Sequence, residues 1–214
     1  IFDNLRKAMS YVLAVHVPIA GMSLAPVLMG WPLILLPAHI VFLEMIIDPA
    51  CSVAFEAEPG EEGLMDRPPR GPGEPLFGAP VVMASLAQGL WVLALVLGAH
   101  LAARAQGAGL DQARTLAFAT LVLANLGLIL ANRSWTSPLL AILRRSNPAL
   151  WYVLGGSAAF LGLVLYVPFL RGLFHFAYVG PGELLPCLAA VAVSLVAVEL
   201  FKALNRGRRG DAGR

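Results

Sequence analysis

Two carboxylates, Glu44 and Asp48, stand inside a run of residues that is otherwise apolar enough to cross a bilayer. A carboxylate at mid-membrane costs about 2.5 to 3.5 kcal/mol on insertion scales, so such groups usually face a protein interior or an ion path. Residues four apart lie on one face of a helix. The pair therefore predicts a site where two hard oxygen ligands share one cation. The alternatives are a protonated structural carboxylic acid at Asp48 and a proton-exchanging group at Glu44.

Pro49, directly after Asp48, is expected to break the helix that carries these carboxylates. Proline lacks an amide hydrogen, which frees the Met45 carbonyl, and it disfavours helical geometry at Asp48. Broken helices at membrane depth are tolerated where the loosened backbone lines a cavity or is buried in protein, and freed carbonyls there can bind cations. The backbone carbonyl of Met45 is therefore predicted to be a further ligand.

The composition indicates an integral membrane protein: 58% of the 214 residues are hydrophobic, 13% are charged and the mean hydropathy is +0.76. A net charge of +2 gives no electrostatic support for a nucleic-acid partner. Cys51 and Cys187 are the two cysteines, which excludes a disulfide framework and a CxxC metal motif. Oxygen ligands suit a hard cation, and Ca²⁺, Mg²⁺ and Mn²⁺ all remain open.

Apolar segments long enough to span a bilayer predict an all-α fold, a six-helix membrane bundle whose second helix is broken near Asp48-Pro49. Four units follow along the chain: a first helical hairpin over residues 1–55 that holds the ion-site residues, a cytoplasmic loop rich in proline and arginine over 56–76, four further helices over 77–204, and a basic tail over 205–214. The predicted spans cover about 8–29, 33–55, 77–103, 110–131, 149–170 and 183–204.

Other polar residues in the spans are weaker candidates for cation binding. Pro18 predicts a kink in the first helix close to His16, but an imidazole beside a kink is more often a hydrogen-bonded packing residue than a ligand. His39 and His100 are weaker still. Asn125, in the fourth span, is expected to form hydrogen bonds across helices rather than to bind a cation.

The basic residues are distributed unevenly between the two sides of the predicted bundle. If the N-terminus is cytoplasmic, that side holds twelve of the fifteen Lys and Arg residues and the opposite side holds three. Cytoplasmic loops retain basic residues, so both termini are expected in the cytoplasm. The minority set is Arg104, Arg114 and Arg171. The basic tail is explained by attraction to anionic lipid headgroups.

Several strings resemble the last six membrane helices of type II cation-transporting P-type ATPases, the calcium-pump-like group, over almost the whole chain. The most specific is Met65-Asp66-Arg67-Pro68-Pro69-Arg70, which is similar to the family's loop after its sixth helix. The Leu43 to Pro49 stretch resembles the sixth helix, with Asp48 on the family's aspartate ligand and Glu44 on a neighbouring ligand position. Further similar strings are Ile1-Phe2-Asp3-Asn4-Leu5-Arg6-Lys7, Asn132-Arg133-Ser134 and Glu199-Leu200-Phe201-Lys202.

The resemblance implies further roles and also has departures. It implies that Asp66, Arg67 and Arg70 form a loop that docks onto a cytoplasmic phosphorylation domain; ordinary positive-inside residues are the alternative. His16 and Ile19 stand where calcium pumps have an asparagine and a glutamate in the fifth helix, and Leu121 stands near their eighth-helix glutamate. One of the family's usual two ion sites is therefore expected to be missing.

Two classes of function follow from these observations. The first is the membrane part of an ATP-driven cation pump, whose partners are the bilayer and the N-terminal helices and cytoplasmic domains of the same pump. The second is a stand-alone membrane carrier, regulator or partner subunit derived from such a bundle. The sequence has no DKTGT phosphorylation motif and no TGE loop, so this chain is expected to have no ATP site and no ATPase activity alone. The expected location is a bacterial plasma membrane.

Overall fold

The computed structural model describes residues 2–58, 78–133 and 147–211, and within them the regular secondary structure is all helical. A π-helical segment, Leu43–Ile47, joins the second and third helices. The helices in chain order are α1 (Phe2–Met29), α2 (Pro37–Phe42), α3 (Asp48–Glu56), α4 (Ala79–Ala105), α5 (Leu110–Asn132), α6 (Pro148–Tyr166), α7 (Pro168–Leu173) and α8 (Pro181–Asp211).

Within these ranges, five helices are long and apolar enough to cross a membrane. They correspond to the first, third, fourth, fifth and sixth predicted spans. The second predicted span is the interrupted one, in which α2, the π-helical segment and α3 follow one another over residues 37–56. The all-α membrane architecture predicted from the sequence is thus confirmed, and the second span is irregular in the region where a break was expected. The five are Phe2–Met29, Ala79–Ala105, Leu110–Asn132, Pro148–Tyr166 and Pro181–Leu200.

Prolines and one asparagine explain several helix boundaries. Proline is tolerated in the first turn of a helix, where its missing N–H has no helical partner anyway, and α2, α6 and α7 each begin on one. The side chain of Asn147 accepts a hydrogen bond from the Leu150 N–H and so caps α6. The fifth predicted span stops at Tyr166, four residues early, because Val167 is extended before Pro168.

Helix α5 lies at the centre of the bundle. In its most apolar stretch of 18 residues, 83% of the residues are buried. In the corresponding stretches of the other four spans, 17 to 33% are buried. It packs against α1, α4, α6 and α8. The other spans expose large apolar faces, which lipid or further protein would cover in a membrane.

Glycines allow α1 and α4 to pack closely. A Cβ on Gly89 would lie 2.5 Å from the Ala14 carbonyl oxygen and 2.6 Å from the Val17 Cβ, so no larger residue fits. The buried hydroxyls of Ser10 and Ser85 are 2.6 Å apart across the same two helices. Small residues and interhelical hydrogen bonds are the usual means by which membrane helices associate.

The two ends of the bundle gather different segments. At one end, Asn4 and Asn147 meet Glu58 and Arg133. At the other end, Arg114 donates to the carbonyls of Leu33 and His175, 3.0 and 3.4 Å away. Each end of the described bundle thus brings together segments that are distant in sequence.

Candidate cation site

The expected disruption of the second span takes the form of the π-helical segment Leu43–Ile47, immediately before Asp48 and Pro49. The helical path continues into α3, so the span is distorted rather than unwound. A π turn accommodates one additional residue in a helix, and such turns occur frequently at functional sites. Proline explains its position, since Pro49 cannot donate the hydrogen bond that an α-helix would require there.

His16 and Glu44 face each other across α1 and the π-helical segment. The Nε2 atom of His16 lies 3.4 Å from Oε2 of Glu44, and the two side chains are 47% and 38% exposed. The other ring nitrogen, Nδ1, lies 2.7 Å from the Val12 carbonyl oxygen and donates to it. The structure thus places His16, a weaker candidate ligand, beside Glu44, a main candidate. Both side chains remain partly exposed on the surface of the described bundle.

The other predicted ligands are only partly visible. The backbone of Asp48 begins α3, but its side chain lies outside the described residues, as do Asp66, Arg67 and Arg70 of the predicted docking loop. The Met45 side chain is 72% exposed, and Met45 lies in the π-helical segment. Among the described residues, no three or more His, Cys, Asp or Glu side chains form a cluster that could hold a metal ion.

The carbonyl of Ala14, freed by Pro18, does not face the π-helical segment. It lies against Gly89 of α4, as the 2.5 Å separation from a Cβ on that glycine shows. Helix α1 remains helical through Pro18 and Pro26 to Met29. The contribution of α1 to the candidate site is therefore the His16 side chain.

Asn125 is a buried polar residue at the depth of the helix distortion. Phe118 precedes Asn125 by seven residues on α5, and its ring lies 5.6 Å from the ring of Phe42 on α2. Pro49 follows Phe42 by the same number of residues. Seven residues are two helical turns, so Asn125 shares the face of α5 that Phe118 presents to α2. Asn125 is fully buried, and neither its Oδ1 nor its Nδ2 has a hydrogen-bond partner in the described structure.

The hydrogen bond across helices that the sequence predicted for Asn125 is formed by another asparagine. Nδ2 of Asn132 donates to Oε1 of Gln88 on α4 at 2.9 Å. A buried amide without a partner is costly, so the two free atoms of Asn125 call for an explanation other than helix packing.

His39 has a structural role, in keeping with its low rank as a ligand. Its Nδ1 accepts the Leu36 N–H at 3.0 Å, and its Nε2 donates to the Phe174 carbonyl at 2.8 Å. The ring stacks against Phe174 and Phe176 and is fully buried. Both nitrogens are therefore used within the fold.

Sequence reasoning missed one polar cluster. Glu58, just after α3, forms a buried bidentate ion pair with Arg133 at the end of α5, with N–O distances of 2.7 and 3.0 Å. Asn147 donates to the same carboxylate at 2.8 Å. Glu58 stands among several acidic residues at the start of the predicted loop, so the sequence alone indicated a solvent-exposed side chain. Its burial was the missing information.

Comparison with known proteins gives a family and several relatives. Residues 32–204 match the family described as "Cation transporting ATPase, C-terminus". A calcium-transporting ATPase of Bacillus subtilis is 30% identical over 207 residues, which are 94% of this chain and 23% of that protein. A probable cation-transporting ATPase F of Mycobacterium tuberculosis is 29% identical over 206 residues, 92% of this chain and 22% of that protein. This chain thus spans less than a quarter of these relatives.

Proposed function

Because this chain belongs to the family of cation-transporting ATPase C-terminal regions, we propose that it forms the membrane part of an ATP-driven pump and supplies ligands to the transported cation. The observation that carries the proposal is the contact between His16 and Glu44 at the π-helical segment. Residues from two helices converge there, directly beside Asp48 and Pro49.

We assign the cation ligands to Glu44, Asp48 and the Met45 backbone carbonyl, with His16 on the opposite helix. Carboxylate and carbonyl oxygens suit hard divalent cations, and calcium is favoured over magnesium and manganese. The Bacillus subtilis relative, named as a calcium-transporting ATPase, supports this order. The buried amide of Asn125, at the depth of the π-helical segment, has no hydrogen-bond partner in the described structure. Its Oδ1 is a suitable further oxygen ligand.

The partial exposure of His16 and Glu44 supports a partner that covers this surface. Charged groups at membrane depth are costly when they face lipid. In relatives more than four times as long as this chain, further protein is available to cover such a surface. We propose that N-terminal membrane helices of the same pump complete the site and that its cytoplasmic domains bind ATP. The twelve-to-three distribution of basic residues supports a cytoplasmic position for both termini, in a bacterial plasma membrane.

The test uses the complete polypeptide encoded by the gene that contains this sequence, purified and assayed for cation-dependent phosphorylation. Asp48→Asn is expected to abolish that phosphorylation, whereas Glu44→Gln is expected to weaken the apparent cation affinity. Glu56→Gln is the control, because Glu56 is an exposed carboxylate at the far end of α3. Unchanged cation response in both site variants would mean that the carboxylates are structural. A gene product without phosphorylation but with cation flux would favour the stand-alone carrier.

A further inference from the structure

The buried cluster of Glu58, Arg133 and Asn147, hereafter the anchor, ties together helices that are distant in sequence. The side chains of Glu58 and Arg133 are each 2% exposed. Both carboxylate oxygens accept from the Arg133 guanidinium, and Oε2 also accepts from Nδ2 of Asn147. The carboxylate therefore accepts three hydrogen bonds in one defined geometry.

The anchor holds the far end of α3 from several sides. Asn147, the cap of α6, also donates to the Ala54 carbonyl of α3 at 3.0 Å. Asn4 of α1 donates to the Glu58 backbone carbonyl at 2.5 Å. Arg133 extends the central helix α5. The end of α3 is thus bound to α1, α5 and α6 through side chains and backbone together.

Such a cluster is a poor way to gain stability alone. Desolvation of a buried ion pair offsets most of the attraction between its charges, and apolar residues of similar size often serve as well. A bidentate arginine–carboxylate pair does, however, specify distance and orientation strictly. The distinctive contribution of the anchor is therefore a fixed position for the end of α3.

The position of that end affects the candidate site, because α3 links the two. Asp48 and Pro49 lie in its first turn and Glu58 lies just past its last. At 1.5 Å per residue the nine-residue helix is about 14 Å long. A helix this short moves as one body. Contacts that hold its far end therefore also limit movement of its first turn, where Asp48 lies.

We propose that Glu58, Arg133 and Asn147 are positioning residues that hold Asp48 in place for cation binding without touching the cation. This inference rests on the proposed function of the site. Loss of the anchor should let α3 shift and weaken the apparent cation affinity, while the ligands themselves remain intact. Mutations in such connecting networks can change coupling between sites by roughly two- to thirty-fold.

The experiment measures apparent Ca²⁺ affinity and thermal unfolding of the complete polypeptide, the latter with and without Ca²⁺. Glu58→Gln and Arg133→Gln should each weaken Ca²⁺ affinity by roughly two- to thirty-fold. The double variant, which leaves neither charge unpaired, should be no weaker than either single variant. Glu56→Gln, two residues away on the exposed surface, is the matched control and should retain the original affinity.

Milder variants keep the test decisive if Glu58→Gln does not fold. Glu58→Asp retains the charge, and Asn4→Ala removes one donor to the Glu58 carbonyl; both should weaken Ca²⁺ affinity by a smaller factor. A purely structural anchor would lower the unfolding temperature equally with and without Ca²⁺ and leave affinity unchanged, which would overturn the inference. Glu44→Gln in the same preparation separates the hypotheses. If it weakens binding and the folded anchor variants do not, the anchor inference alone fails. If it also has no effect, the proposed site fails.

Discussion

His16 on α1 and Glu44 in the π-helical segment approach to 3.4 Å between Nε2 and Oε2, where the regular hydrogen bonding of the second span changes. Because Nδ1 of His16 donates to the Val12 carbonyl, Nε2 is the ring nitrogen that remains to meet the Glu44 carboxylate. The two side chains therefore bring a ring nitrogen and a carboxylate oxygen from separate helical segments to one point.

Cation binding is expected to depend unequally on the two members of this pair. Glu44 supplies an anionic oxygen, the ligand that hard cations prefer, whereas His16 supplies a ring nitrogen. Glu44→Gln should therefore weaken the apparent cation affinity more than His16→Gln does. A cation titration of each variant of the complete polypeptide measures the two effects. An affinity in Glu44→Gln equal to that of the unchanged protein would contradict the prediction.

Asn125→Leu is expected to separate function from stability. The substitution removes two buried polar atoms that have no partner in the described structure, so it should stabilise the cation-free protein by roughly 1–3 kcal/mol. If Oδ1 is a cation ligand, the same change should weaken cation affinity. Thermal unfolding without cation and a cation titration provide the two measurements. Asn132→Leu is the control, since it breaks the bond to Gln88 and should destabilise the protein instead.

Gly89→Ala is expected to force α1 and α4 apart. Its Cβ would lie 2.5 Å from a backbone oxygen, which cannot move without the helix, and overpacking of this kind costs about 1–3 kcal/mol. Gly98→Ala on the same helix is the matched control, because no neighbouring atom lies within 4 Å of its Cβ. Equal unfolding temperatures for the two variants would show that the close contact is not maintained.

His39→Phe is expected to lower stability and leave cation affinity unchanged. The phenyl ring can still stack on Phe174 and Phe176, but the Leu36 N–H and the Phe174 carbonyl lose their partner. An unpaired buried backbone group costs about 1–3 kcal/mol. Thermal unfolding and cation titration of the complete polypeptide give the answer. A weakening as large as that of Glu44→Gln would mean that His39 takes part in binding.

The sequence by itself determined the class of fold, its membrane spans and the place where one span is distorted. These features depend on local properties. The length of an apolar run sets a span, and Pro49 removes a hydrogen bond from its own turn whatever surrounds it. The similarity to cation-transporting ATPases was likewise readable from short strings, and the family match confirms it.

The tertiary structure alone decided which polar groups meet. Nothing in the order of residues shows that Glu58 pairs with Arg133, 75 positions away, or that Asn132 rather than Asn125 bonds to the neighbouring helix. Nor does it show that the freed Ala14 carbonyl faces Gly89 while His16 faces Glu44. Each outcome depends on the rotation and depth at which two helices pack. Those are set by side-chain fit across the whole interface, such as the glycine contacts of α1 with α4, and not by any residue's own neighbours.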